Sequence, residues 1–369
     1  MDPEMVERRR WYEEMYAYNA AKLEAEFRGE EGKVEEVVAV KVAVEEKPNP
    51  FASMLALVSL VSDEGVEKKE DLSGRNKVEI YLRPIVGFVP TRWVYQINSV
   101  KDPVSRLICF HGLGGSHLFF RQWGAFFTRM NVSLFAVCLP GRSLRLNDPP
   151  VSAVVAAGYI ADALQMMGLV IVKSQEELEK EERAGKGGSS FGGTPVILFG
   201  HSLGGIVAYE TAKALGPAIT HLMVSASIAP AIQTLINKDR FGTKYFCSST
   251  PDLMDRMAVL GGLPPLLQGR ERRDLLSQLF VPIVRADFTM LEKYIASEHF
   301  PSLAIPITTL RGGDDKMVSA EQIEGWKFET VGEVIQYTDR GGHSYLTTEE
   351  GERRVFHTLE RLCGVVSSK

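Results

Sequence analysis

The chain is 369 residues long, 45% hydrophobic and 24% charged, with a net charge of -5 at neutral pH. That is an ordinary composition for a soluble globular protein, and the length admits one large α/β domain with extensions. A net negative charge with no basic stripe argues against a nucleic-acid partner, which would need cations to neutralise phosphates. The longest apolar stretches, Phe51 to Ser62 and Val151 to Val172, are respectively too short and interrupted by Asp162 and Gln165, so no membrane span is expected.

The four cysteines, Cys109, Cys138, Cys247 and Cys363, show no metal-ligand spacing, and are expected to be buried, reduced thiols in a cytoplasmic protein that needs no metal. The start, MDPEMVERRR, fits neither a secretory signal nor a transit peptide. Trp11, Met15, Tyr18 and Leu23 recur near a helical period, and the valines at 34, 38, 40, 42 and 44 mostly alternate as in a half-exposed strand. The charged stretch Glu64 to Lys77 reads as a linker. A boundary near residue 75 therefore divides an N-terminal extension, 1–75, whose role the residues do not state, from a domain over 76–369.

Val78 to Val89 and Trp93 to Ile97 are expected to open that domain as two antiparallel strands. A buried strand, Leu107 to Phe110, then runs into His111-Gly112-Leu113-Gly114-Gly115, where glycines free backbone amides for a ligand, although an ordinary tight turn would look the same. Leu134 to Leu139 is the next strand, ending at Pro140-Gly141-Arg142, and Ala153 to Met167 reads as a buried helix. Residues 173–193, a charge run followed by Gly and Ser, form an exposed insertion; a solvated loop is the expectation and a carrier-docking role the alternative.

The sequence from Thr194 to Leu215, TPVILFGHSLGGIVAYETAKAL, reads strand, sharp turn, helix. In that setting Gly200-His201-Ser202-Leu203-Gly204 is a nucleophile elbow, with Ser202 exposed on a strained turn. Leu222 to Ile228 is a further strand. Residues 231 to about 301 are helical, and the segment is placed to cover the strand ends as a lid. Pro282 is expected to kink or end one of its helices. Ile307 to Leu310 and Val334 to Tyr337 complete the strands, each followed by a loop, and Gly351 to Cys363 closes the chain as a helix. The alternation predicts a mostly parallel central sheet covered by helices on both faces.

A serine hydroxyl needs a base within reach and a third group to orient that base. Ser202, Asp315 and His343 occur in the order found on an α/β-hydrolase sheet, each on a loop after a predicted strand. Of the other histidines, His111 and His201 sit beside motif residues, and His117, His221, His299 and His357 have weaker loop contexts. Asp314 competes with Asp315 as the acid, since adjacent side chains point apart. Elbow geometry offers the backbone amides of Leu203 and Leu113 as an oxyanion hole.

From Trp93 to Gly364 these pieces resemble the type II thioesterases of the α/β-hydrolase superfamily. The family includes the medium-chain S-acyl fatty acid synthase thioesterase and the editing thioesterases of polyketide and nonribosomal peptide synthesis. LICFHGLGG resembles the family's Gly-Gly loop, with His111 where a proline is common. Pro140-Gly141-Arg142 with Arg145 and Pro149-Pro150, the elbow GHSLGG, VPIVRADFTMLEKY centred on Arg285-Ala286-Asp287, RGGDD and GGHSYL follow in order. The resemblance implies Ser202 as nucleophile, His343 as base, Asp315 as acid, and the amides of Leu113 and Leu203 as the hole. It also implies a cytoplasmic enzyme, expected to be a monomer and to need no cofactor. Its substrate would be an acyl thioester on the phosphopantetheine of an acyl carrier protein or synthase, or on CoA, released as a free acid. A carboxylesterase or lipase with the same triad, and a catalytically silent interaction module, are the alternative readings. The first 75 residues and the 173–193 insertion depart from the family pattern.

Overall fold

The computed structural model describes residues 89–146, 148–172, 193–238, 245–259, 273–296 and 303–364. The expected N-terminal helix, the valine-rich strand, the linker, the boundary near 75 and all but the end of the insertion lie outside the described residues, as does most of the Val78 to Val89 strand.

Among the described residues, seven strands form one sheet in the order β1-β3-β2-β4-β5-β6-β7. They are β1 (Val94–Gln96), β2 (Ser105–Phe110), β3 (Val132–Val137), β4 (Val196–His201), β5 (His221–Ser225), β6 (Ile307–Gly312) and β7 (Val334–Asp339). Only β1 is antiparallel, pairing Val94 with Val137 and Gln96 with Phe135; every other pairing is parallel. The strands β2, β3 and β4 are buried almost throughout, which is why their sequences run apolar without clean alternation.

Eight helices accompany these strands among the described residues: α1 (Gly124–Arg129), α2 (Ala153–Met166), α3 (Leu203–Leu215), α4 (Pro230–Lys238), α5 (Thr250–Val259), α6 (Arg273–Glu292), α7 (Ala320–Glu324) and α8 (Glu349–Leu362). Strand periodicity of two sends Leu107, Cys109, Leu134, Ala136, Ile197 and Phe199 to one face, where they meet Trp123 and Phe127 and the buried stripe Val355 and Leu359 of α8. Trp123 is fully buried there, and its indole N–H donates to Glu352 at 2.7 Å, so the largest apolar side chain of this layer leaves no orphan donor. The Ser152 hydroxyl caps α2 by accepting from the Val155 amide, an interaction whose loss typically costs about 1 kcal/mol.

Two expectations need correction. Pro282 does not end its helix: it lies inside α6, which continues through it to Glu292. The ring sits on the exposed face of the helix, where solvent can satisfy the carbonyl it deprives of a partner, while Val281 and Val284 stay buried and hold the turn in place. Cys247 is exposed rather than buried, because it ends a short 3-10 turn (Tyr245–Cys247); Cys109, Cys138 and Cys363 are buried, and none of the four is in a disulfide.

Candidate active site

The elbow forms where β4 meets α3. Ser202 has φ 53 and ψ -123, a conformation that L-residues adopt only when their surroundings impose it. Two contacts impose it here. The Ser202 amide donates to the Ser225 carbonyl at 2.8 Å, extending the β4–β5 ladder, while α3 begins one residue later. The turn is tight enough that a Cβ on Gly200 would stand 2.3 Å from the Gly204 carbonyl oxygen, and one on Gly204 would stand 2.3 Å from that of Phe110. Only glycine satisfies both positions.

Parallel pairing of β6 with β7 aligns Gly312 with Asp339, so the loops that follow leave the same edge of the sheet. One carries Asp315 and the other His343, and both bend toward Ser202. His343 Nδ1 lies 2.9 Å from Asp315 Oδ2, and His343 Nε2 lies 2.9 Å from Ser202 Oγ, across 141 residues of sequence. The second carboxylate oxygen of Asp315 accepts from the amides of Met317 and Val318 at 2.8 and 3.0 Å. Burial pushes the Asp315 carboxyl up, but His343 and the two amides outweigh it and hold it below the usual carboxylate range. An ionised Asp315 can only accept, so Nδ1 donates to it and Nε2 is left to accept from the serine hydroxyl. Asp314 is exposed, and its carboxylate accepts from the Gly341 amide at 3.3 Å. Of the two neighbours, Asp315 is the one in contact with His343.

Behind the elbow a second chain of hydrogen bonds runs from His201 Nδ1 to Ser225 Oγ at 2.9 Å and on to Tyr345 Oη at 2.5 Å. Burial, followed by the nearby His343, pushes His201 down to about 3, so it is neutral at ordinary pH. Tyr345 stands two residues after His343 and thereby pins the histidine loop to β5. Sequence reasoning assigned nothing to Ser225 or Tyr345. A polar residue at the end of a buried strand and a tyrosine beside the base were the available signals.

The loop after β2 lies against the elbow, where a Cβ on Gly112 would stand 3.0 Å from the His201 ring and 3.4 Å from Ser202 Cβ. Gly114 donates its amide to Asp287 Oδ2 at 2.7 Å, and Arg142 donates to the Gly115 carbonyl at 2.6 Å. Arg142 and Asp287, 2% and 1% exposed, also form an ion pair with each other. Burial pushes the Asp287 carboxyl up, and Arg142 and the Gly114 amide draw it back. The sequence pointed to both residues as parts of recurring segments and gave neither a role.

Ser202 and His343 open into a cavity of about 280 Å³ walled by Leu113, Phe119, Phe280, Phe288, Leu291 and Leu346, among others. Phe280, Phe288 and Leu291 come from α6, so the helical segment between β5 and β6 supplies one wall. Among the described residues, no group of three His, Cys, Asp or Glu is placed to hold a metal, and no helix is long and apolar enough to cross a membrane.

Residues 188–363 match the family model described as the thioesterase domain. The chain is 27% identical to the probable anguibactin biosynthesis thioesterase of Vibrio anguillarum over 68% of this chain and 89% of that one. It is also 27% identical to the medium-chain S-acyl fatty acid synthase thioesterase of Rattus norvegicus, over 68% of this chain and 85% of the other. The solved RedJ thioesterase from the prodiginine pathway of Streptomyces coelicolor superposes with a TM-score of 0.54 at 28% identity, covering 71% of this chain and 91% of that one. Sheet order, site and these likenesses agree: residues 188–363 carry a thioesterase domain, and the chain is similar to thioesterases, hydrolases built on an α/β-hydrolase fold.

Proposed function

We propose that Ser202, His343 and Asp315 hydrolyse an acyl thioester carried on the phosphopantetheine of an acyl carrier protein or synthase, or on CoA, and release the free acid. The observation that carries this reading is the hydrogen-bonded chain from Ser202 through His343 to Asp315, set at the floor of an apolar cavity. Ser202 Oγ attacks the thioester carbonyl carbon while His343 Nε2 takes its proton. The oxyanion that forms faces the amides of Leu203, at the N-terminus of α3, and Leu113. As the tetrahedral adduct collapses, the C–S bond breaks and His343 returns the proton to the departing thiolate. Water then attacks the acyl-serine, again giving its proton to His343, and the Ser202 oxygen leaves with that proton as the acid is freed.

Helices α4, α5 and α6 act as the lid in this reading, and the acyl chain lies against Phe280, Phe288 and Leu291. Four cysteines without a disulfide among them support a cytoplasmic place of action.

Mass spectrometry of a panel of acyl carrier proteins, with acyl-CoA and oxygen esters of equal chain length alongside, tests the proposal. Carrier-bound thioesters should turn over fastest, and Ser202→Ala should leave them intact. Faster cleavage of the oxygen esters, or undiminished turnover by Ser202→Ala, would refute it.

A further inference from the structure

The face of α6 that meets the loop after β2 is drawn from positions one and two helical turns apart, Phe280, Val284 and Asp287. Gly114 lies directly under it. Its φ is 73, and a Cβ there would stand 2.8 Å from the Phe280 ring and 3.2 Å from Val284. Any other residue would hold the helix off the loop. With the helix docked, Asp287 Oδ2 accepts the Gly114 amide at 2.7 Å, and Arg142 fixes the next carbonyl, that of Gly115, at 2.6 Å. Arg142 also bonds both oxygens of Asp287, which closes a ring of loop, helix and the Pro140-Gly141-Arg142 turn.

The Gly114 amide belongs to the peptide plane joining Leu113 to Gly114. Fixing that plane fixes ψ of Leu113, and the adjoining plane carries the Leu113 N–H. We propose that Asp287 is a positioning residue through which the lid helix sets the oxyanion loop, so that the Leu113 amide is aimed at the reacting carbonyl only while α6 is docked. This rests on the reading of Ser202 as nucleophile and the Leu113 amide as oxyanion donor.

A purely structural role explains the arrangement less well. Both charges are almost fully buried, and a buried ion pair is seldom more stable than apolar residues of the same volume. What the pair supplies is direction, because a carboxylate bridging an amide and a guanidinium admits one geometry. The Gly114 and Gly115 amides are committed to Asp287 and to the Gly112 carbonyl, and so are unavailable to the substrate, in keeping with Leu113 as the donor on this loop.

The test compares Asp287→Asn with a double variant, Asp287→Leu with Arg142→Met, which replaces the pair by apolar side chains. In Asp287→Asn the amide oxygen can still accept from Gly114, but the NH2 then faces the Arg142 guanidinium, donor against donor. For each variant, kcat, KM, Tm and the affinity of an alkyl boronic acid are measured; the boronate forms a tetrahedral adduct with Ser202 and places an oxygen in the hole.

The expected result in a folded variant is a fall in kcat of about 10- to 100-fold, less than the loss of a hole donor outright. Boronate affinity should fall in parallel, with KM little changed. A folded variant with wild-type kcat and boronate affinity would overturn the inference, as would a change confined to KM. Ser202→Ala separates the two layers of argument: an inactive Ser202→Ala beside fully active Asp287 variants refutes the positioning role alone, whereas an active Ser202→Ala refutes the nucleophile on which it rests.

Discussion

Asp315 grips His343 with one carboxylate oxygen and its own loop with the other: Oδ2 lies 2.9 Å from Nδ1, while Oδ1 takes the amides of Met317 and Val318. The acid is therefore oriented before the histidine is. Asp315→Asn keeps the shape but can present an NH2 group to Nδ1. The imidazole then carries its proton on Nε2 and no longer accepts from Ser202. In a triad of this kind that change costs about 10⁴-fold in kcat. Single-turnover hydrolysis should show a loss of this order for Asp315→Asn and less than about a twofold change for Asp314→Asn, whose carboxylate is exposed and meets only the Gly341 amide. A large loss in Asp314→Asn would reverse the assignment.

The elbow turn, the contact of His343 with Ser202 and the strand order of the Asp315 and His343 loops were legible because each rests on local chemistry. Gly200 and Gly204 announce a turn that no side chain fits, and an apolar run before each loop announces the strand that delivers it. The sequence favoured Asp315 over Asp314, but its local pattern held no reason that decides between them. The choice depends on which carboxylate the Met317 and Val318 amides capture, and that is a property of the folded loop. Nor was the Arg142–Asp287 pair legible: its members are 145 residues apart and meet only after α6 has folded back over the β2 loop. Pro282 fails to end its helix for a related reason, since local propensity favours a break and the buried neighbours Val281 and Val284 hold the turn together.

Ser202 stores strain. At φ 53 and ψ -123 a Cβ is unwelcome, and Ala carries the same Cβ as Ser. Ser202→Gly should therefore unfold at a higher temperature than the parent, gaining about 1 kcal/mol, whereas Ser202→Ala should stay close to it. Both variants should be inactive. Calorimetry decides the point, and equal melting temperatures for Gly and Ala would show that the turn is unstrained.

Glu329 is fully buried, accepting from Tyr209 Oη at 2.7 Å and from the Ala231 amide, the first turn of α4, at 3.0 Å. Burial pushes it up to about 7, with Glu210 raising and Lys213 lowering it from the adjoining face of α3. The folded state thus holds a proton that the unfolded state releases near the ordinary glutamate value of 4.5. Stability from this group is fully present below that value and is lost as pH rises through about 7, a swing of about 3 kcal/mol at most. Glu329→Gln cannot ionise, and its amide can still pair with both Tyr209 and Ala231. Its unfolding free energy should lose this pH dependence and exceed the parent's at pH 8. A parent and variant that change in parallel from pH 5 to 8 would place the titration elsewhere.

If the acyl chain lies in the cavity beside Ser202, the cavity's size should set the chain length it favours. A volume of about 280 Å³ holds about nine methylene-sized units, taking ~30 Å³ for each as for a water molecule in the liquid. Each methylene buried contributes about 0.8 kcal/mol, so kcat/KM should climb with chain length and level off once the space is filled. Leu291 stands in the wall that α6 provides, one turn along from Phe288, and lines the same cavity as Ser202 and His343. Leu291→Trp adds bulk there without touching the hydrogen-bonded groups. It should lower kcat/KM for chains of about ten carbons by at least about tenfold, the worth of two methylenes, and leave acetyl and butyryl thioesters near the parent rate. A chain-length series on both proteins, with the same leaving thiol throughout, reads this directly. A uniform loss at every length would mean that the tryptophan disturbs α6 itself, and an unchanged profile would mean that the acyl chain takes another path.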